Sequence, residues 1–257
     1  MGSDLSKGAG KGGGSLPPPF RLLALDSIDS TNDEARRQAD AGAGHGLVIM
    51  AAEQTAGRGR RGRQWVSPRG NLHCSLLLQP GRPLAEAAQL SFAAGLSLAE
   101  ALEGLCPGVR FQCKWPNDVL CEGRKIAGML LETVGQGDHL ILGLGVDVVA
   151  APDPALYPAI SLREAGSEVS AEEVLSAFVA RFSHWFTLWQ SQGFAPLREA
   201  WLAKAKGLGE EVVVRLDKES VTGIFAGLDS AGGLMLDVAN NGGRRLILAG
   251  DVFFPVR

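Results

Sequence analysis

The sequence predicts an α+β domain followed by a small β-barrel, and three observations carry that expectation. Apolar runs of strand length alternate with long segments of helical periodicity between Phe20 and Lys206. After Gly207 the texture changes to short apolar or alternating runs separated by Gly and Asn turns. With 46% hydrophobic and 21% charged residues over 257 positions, the chain has enough apolar material to bury a core.

Taken in order, residues 1–19 combine Gly, Ser, Lys and a triple Pro, a composition that reads as a disordered tail. Structure is expected from Phe20. Ser30-Thr31-Asn32-Asp33-Glu34 opens a polar helix, with a cap-capable residue ahead of acidic first-turn residues, and Gly42-Ala43-Gly44 stops it. Strands follow at 47–52 and 71–78, then one long helix at 83–105 with Leu84, Ala87, Ala88, Phe92, Leu96 and Ala99 at helical spacing. Three more strands are expected at 109–115, 126–133 and 140–148, and Pro152, Pro154 and Pro158 mark a loop. A helix at 171–190 is announced by Ser170 and Glu173, the spacing of a capping box, and another spans 196–206. The barrel strands are expected at 211–216, 221–226, 234–238, 245–248 and 252–256, with a turn at Asn240-Asn241-Gly242-Gly243.

Charge and cysteine usage narrow the function classes. A net charge of -3 argues against attraction of the whole protein to nucleic acid or a membrane surface, while allowing a local basic patch. Cys74, Cys106, Cys113 and Cys121 form no CxxC pair and the four histidines are scattered, so no metal site is readable. The thiols read as buried and free in a reducing compartment. No segment reads as a signal peptide or a membrane span, which points to the cytoplasm.

The patch lies in Gln54-Thr55-Ala56-Gly57-Arg58-Gly59-Arg60-Arg61-Gly62-Arg63-Gln64-Trp65. Gly57, Gly59 and Gly62 satisfy GxGxxG, yet Ser67-Pro68-Arg69-Gly70 cannot open the helix a dinucleotide fold requires. What remains is a permissive backbone carrying four arginines, suited to phosphate or carboxylate oxygens; a solvated basic loop or a nucleic-acid patch fits the same composition. Trp65 could close over a purine face, or simply pack. A second constellation is Lys114-Trp115-Pro116-Asn117-Asp118 followed by Arg124-Lys125-Ile126-Ala127-Gly128, read as two strands of a hairpin. A lysine there can stabilise charge developing on a carboxylate and phosphate, or can merely face solvent. Gly143-Leu144-Gly145-Val146-Asp147 ends a strand with two glycines where a ligand or another backbone can come close. Together these describe a site of three loops with excess positive charge and one acid that could place Mg²⁺.

In these motifs, in this order, the sequence resembles the biotin protein ligase family: Asp29-Ser30-Thr31-Asn32, residues 54–65, Ser67-Pro68, Lys114 to Asp118, Arg124 to Gly128 and Gly143 to Val146. The resemblance covers essentially everything after Phe20. It implies the biotin/lipoate ligase catalytic fold, a mixed or antiparallel sheet with packed helices over 20–206, and an SH3-like β-barrel over 207–257. It also implies two half-reactions, biotin plus ATP giving biotinyl-5′-AMP, then transfer to a lysine of a biotin carboxyl carrier protein, the acetyl-CoA carboxylase subunit, or of another biotin-dependent carboxylase. Carried over by motif, Ser30, Thr31, Asn32, Gln54, Arg58, Gly59, Arg60, Lys125 and Gly128 contact biotin. Arg58, Arg60, Arg63, Trp65, Asn117, Lys125 and Asp147 contact ATP and the adenylate. Lys125, Arg60 and Asp118 act in catalysis, and Asp118 supports Mg²⁺ or the attacking lysine. Where the family usually has Asn, this chain has Asp147, an added anion near phosphates. The form expected is one without an N-terminal DNA-binding domain, hence no operator binding; the oligomeric state, monomer or homodimer, stays open. A lipoate ligase shares the adenylation logic but lacks the GRGRRG loop. The loop's glycines suggest that it is mobile when empty and closes over the adenylate.

Overall fold

The computed structural model describes residues 16–135, 139–152, 158–238 and 242–255. The expected tail up to residue 15, Pro154, Asn240-Asn241 and Val256 lie outside the described residues. Leu16 is buried in the main core together with Phe20, so packed structure begins ahead of Phe20.

Seven strands form the first sheet: β1 (Arg21–Ile28), β2 (Leu47–Gln54), β3 (Leu72–Leu78), β4 (Phe111–Lys114), β5 (Asp118–Cys121), β6 (Arg124–Val134) and β7 (His139–Val146). Their order is β1-β2-β3-β7-β6-β5-β4, with β1 and β2 parallel and every other pair antiparallel, a mixed sheet. Two of these strands depart from the expected elements. β1 was not anticipated because it is a largely exposed edge whose apolar residues keep no strict alternation. β5 corrects the single hairpin expected between Lys114 and Lys125. Trp115-Pro116-Asn117 turns the chain at once, setting Asp118 opposite Lys114, and Glu122 and Gly123, both at positive φ, make the tight turn into β6. The segment is a three-stranded meander.

Strand alternation sorts the side chains of β3. Leu72, Cys74, Leu76 and Leu78 point into the main core, where α2 (Leu90–Leu105) and α3 (Ala171–Gln192) cover the sheet; Leu77 joins a smaller core with Leu47, Ile49, Ile141 and Ala35 of α1 (Thr31–Asp40). The helix expected from 83 starts with a 3₁₀ segment, Leu84–Gln89, before α2. The capping box of α3 is formed: Glu173 N–H donates to Ser170 Oγ at 3.2 Å, and Ser170 N–H donates to Glu173 Oε2 at 2.8 Å. Ser30 occupies the N-cap of α1 but makes no side-chain cap bond; the first N–H of that helix, Thr31, goes to Gln54 Oε1 at 2.8 Å instead. α4 (Phe194–Ala203) packs Trp201 edge-on against Phe92 of α2.

The C-terminal unit is a five-stranded antiparallel sheet, β8 (Glu211–Arg215), β9 (Ser220–Leu228), β10 (Leu234–Val238), β11 (Gly243–Ile247) and β12 (Asp251–Phe253), in the order β11-β10-β9-β8-β12. It is fastened to the first sheet by a buried bond from Trp115 Nε1 to the Gly232 carbonyl, 3.0 Å, and the segment leading into it is held to β4 by backbone bonds between Cys113 and residues 204 and 206. Gly232, at φ +95°, lies so close to Phe92 that a Cβ would stand 2.6 Å from the ring. All four cysteines are free and buried, and no helix among the described residues is long and apolar enough to cross a membrane.

Candidate functional site

The site is laid out along one row of cross-strand neighbours. Lys114 opposes Asp118, Asp118 opposes Gly128, Gly128 opposes Gly145, and Gly145 opposes His73, so all five face the same side of the sheet. Side chains at one end of the row are charged; the middle is bare backbone. Trp65 fills the ground above that backbone, since a Cβ at Gly145 would stand 2.4 Å from its Cε2 and one at Gly128 would stand 3.3 Å from its Cζ3. The buried Nε1 of Trp65 has no partner among the described residues.

Strict alternation from Gly128 would turn Lys125 away from this side. A bulge in β6 prevents it: Val119 pairs with Ala127 and Leu120 with Lys125, leaving Ile126 as the extra residue. Ile126 and Ala127 both enter the main core, and Lys125 emerges on the side of Asp118, with Nζ 2.7 Å from Asp118 Oδ1 and 5.6 Å from the centre of the Trp65 ring. The other carboxylate oxygen, Oδ2, lies 3.7 Å from Lys114 Nζ. Asp118 therefore bridges two ammonium groups.

The arginines of the loop are each held by an acid or amide. Arg58 forks onto Asp33 at the start of α1, with Nη2 2.7 Å from Oδ1. Arg60 donates to Asn117 Oδ1 at 2.8 Å, and Asn117 Nδ2 donates to the Met129 carbonyl at 2.6 Å. Arg61 sits at φ 57° before Gly62 at φ 70°, a turn that sends its side chain to Asp217 at 2.9 Å. Arg63 meets Asp251 of β12 at 2.8 Å, with Arg60 and Arg61 each 4.0 Å from the same carboxylate. Burial alone would raise the Asp251 carboxyl, but the hydrogen bond and charge of Arg63, with Arg60 and Arg61, hold it below the usual range.

The polar end is a second network. Thr31 gives both its N–H and its hydroxyl to Gln54 Oε1, Gln54 Nε2 donates to Ser67 Oγ at 2.9 Å, and Asn32 Nδ2 donates to Glu132 Oε2 at 2.9 Å. Ser75 Oγ lies 2.8 Å from Thr31 Oγ1 and 2.6 Å from Asn32 Oδ1. Gly143 leaves room for Asn32, whose Oδ1 would be 2.4 Å from any Cβ there. Ser30, Thr31 and Asn32 are all buried.

At the far end Asp147 is 2% exposed and receives a bond from Asn71 Nδ2 at 3.3 Å. Burial pushes its carboxyl up to about 7, against the pull of Lys125. The anion inferred from sequence is thus only partly charged at neutrality. Asn71 also ties down the following turn, accepting from the N–H groups of Val149 and Ala150.

One cavity of about 490 Å³ gathers the residues to which the resemblance gives a contact or a catalytic role: Ser30, Thr31, Asn32, Gln54, Arg58, Gly59, Arg60, Arg63, Trp65, Asn117, Asp118, Lys125, Gly128 and Asp147 all line it. Lys114 and Asp251 also line it, and sequence reading had given neither a role. Among the described residues no group of three or more His, Cys, Asp or Glu side chains could hold a metal ion.

Residues 24–147 match the model of the biotin/lipoate A/B protein ligase family, and residues 207–254 match that of the biotin protein ligase C-terminal domain. The chain is 44% identical over 240 residues to the biotin--[acetyl-CoA-carboxylase] ligase of Paracoccus denitrificans, covering 90% of this chain and 99% of that one. It also superimposes on the biotin protein ligase from Aquifex aeolicus in complex with biotin and ATP, with TM-score 0.79, 33% identity, and coverage of 90% and 97%. The biotin protein ligase from Leishmania major in complex with biotinyl-5-AMP gives TM-score 0.64 at 26% identity, covering 91% of this chain and all of that one, 100%. With the sheet, the C-terminal unit and the lining of the cavity all in agreement, the chain belongs to the biotin protein ligase family.

Proposed function

We propose that this protein is an ATP-dependent biotin ligase that forms biotinyl-5′-AMP and transfers biotin to a lysine of the carrier protein of acetyl-CoA carboxylase. The observation that carries the reading is the position of Lys125, swung by the bulge onto the side of the glycine row, between the polar pocket and the arginine loop. The pocket of Thr31, Asn32, Gln54 and Ser75 offers fixed donors and acceptors to a polar ring system. Biotin set there directs its carboxylate along the glycine row to Lys125, Arg58 and Arg60. Trp65, Asn117 and Asp147 take the nucleoside end and Arg63 the phosphates.

In the first half-reaction a biotin carboxylate oxygen attacks the α-phosphorus, and the bond to the β-phosphate oxygen breaks with its electron pair leaving on pyrophosphate. Lys125 and Arg60 stabilise the charge that accumulates between carboxylate and phosphate, so alignment and neutralisation supply the rate. In the second, the neutral carrier amine attacks the acyl carbon, the bond to AMP breaks, and an amine proton passes to Asp118. Mg²⁺ enters on the phosphates of ATP as part of the substrate. Asp118 does not fit the metal role inferred from sequence, because each of its oxygens faces an ammonium group, and no step is routed through it as a ligand.

Four buried free thiols suit a reducing compartment, which supports a cytoplasmic location. Carriers of other biotin-dependent carboxylases present the same lysine chemistry and fall within the proposed substrate class; repression of transcription is no part of it. Pyrophosphate exchange into ATP tests the reading with biotin, with lipoate and with no acid. Exchange that needs biotin is expected. Exchange independent of biotin, or supported by lipoate alone, overturns it.

A further inference from the structure

We propose that Lys114 is a positioning residue for both half-reactions: it keeps hold of Asp118 while Lys125 leaves that carboxylate for the substrate. This rests on the ligase reading above. The geometry separates the two lysines by task. Lys125 is the one that reaches the substrate ground, since its Nζ would stand 3.3 Å from a Cβ placed on Gly128, beside the Trp65 ring. Lys114 stands behind it, with 8% of its side chain exposed and its Nζ 5.9 Å from the centre of the Phe253 ring of β12. Each lysine addresses a different oxygen of Asp118.

That division solves a charge problem. To bridge the biotin carboxylate and the α-phosphate, Lys125 has to give up Asp118 Oδ1. The side chain of Asp118 is only 12% exposed, and a buried carboxylate stripped of its counter-ion beside a polyphosphate is strongly disfavoured. It would pull Lys125 back. Lys114, on Oδ2, remains as the resident counter-ion, frees Lys125 to move, and keeps Oδ1 aimed at the place where the carrier amine loses its proton. The groups around Lys114 fit this role: Asp118 on β5 and Asp251 on β12 favour its charged form, Lys125 on β6 opposes it, and Arg60 stands across Asp118 and Asp251. Burial pushes the Lys114 ammonium below the ordinary lysine range, so its charge is kept by those two carboxylates.

The experiment is Lys114→Met, alone and with Asp118→Asn, in the full-length protein. Biotin binding, pyrophosphate exchange and transfer of biotin from preformed biotinyl-AMP to the carrier are measured for each. Biotin-dependent exchange by the wild type checks the ligase reading separately. For Lys114→Met the expected result is biotin affinity within about twofold of wild type, with kcat for exchange and the transfer rate each down by at least about tenfold. In the Asp118→Asn background, Lys114→Met should cost less than about twofold, because no buried anion is left to balance. Rates within twofold of wild type in the single variant overturn the proposal. So does additivity in the double variant, and so does loss of biotin binding, which would give Lys114 a role in the fold alone.

Discussion

Asp147→Asn separates the burial of this carboxylate from any use of its charge. Asp147 is 2% exposed, and burial holds its carboxyl at about 7 where 3.8 is ordinary. Between those values the unfolded chain has given up a proton that the folded protein keeps, so wild-type stability falls as pH rises through the window and levels off above about 7. Over that span of about three pH units, at about 1.4 kcal/mol each, the ceiling is about 4 kcal/mol. An amide at this position carries no such penalty and still accepts from Asn71 Nδ2. Urea unfolding followed by tryptophan fluorescence, from about pH 4 to about pH 8, should show the variant gaining on the wild type as pH rises, with most of the gain below about pH 6 and little above about pH 7. A difference between the two proteins that stays constant over the whole range refutes the reasoning. ATP use should be kept or improved, most clearly at alkaline pH where the wild-type carboxylate is charged; a collapse of exchange activity would assign the acid a role of its own.

Gly145→Ala brings a methyl to 2.4–2.5 Å from three indole atoms of Trp65 and should unseat the ring at a cost of about 1–3 kcal/mol. The KM for ATP in the exchange assay should rise about tenfold, and an unchanged KM would count against Trp65 as the nucleoside platform. Gly143→Ala presses on Asn32 Oδ1 instead, so biotin affinity, read by calorimetry, should fall more than ATP affinity. Trp201→Ala removes a 2% exposed indole between α2 and α4 and should cost about 3–5 kcal/mol, seen as a large drop in Tm. Ser170→Ala, which breaks a formed capping box far from the cavity, should cost about 1 kcal/mol with kinetics untouched.

What could be read from sequence was whatever is local. The arginine loop, the lysine at 125 and the glycine pair at 143 and 145 each announce themselves within a few residues, and the lysine, both glycines and Arg58, Gly59, Arg60 and Arg63 of the loop line the cavity. The partners that hold them do not. Arg63 and its acid Asp251 are 188 residues apart, Asn32 and Glu132 are 100 apart, and Asn71 and Asp147 are 76 apart. No spacing rule connects such pairs. Caps show the same division: Ser170 behaves as its motif says, whereas Ser30 makes no cap bond and the N–H of Thr31 after it goes to Gln54 of β2. β5 was missed because four residues between two tight turns leave no periodicity to detect.

The bulge at Ile126 also bears on how this active site can change. The side that Lys125 faces is set by how β6 pairs with β5, and not by the lysine itself. Straightening the bulge with the residue count unchanged would set Lys125 opposite Cys121 and turn the ammonium toward the hydrocarbon interior, whereas loss of one residue between Lys125 and Gly128 would leave it opposite Leu120 on the catalytic side. The essential amine is thus secured by strand register as much as by its own identity, and it is lost to the site by any change that slips Lys125 one pairing position along β5.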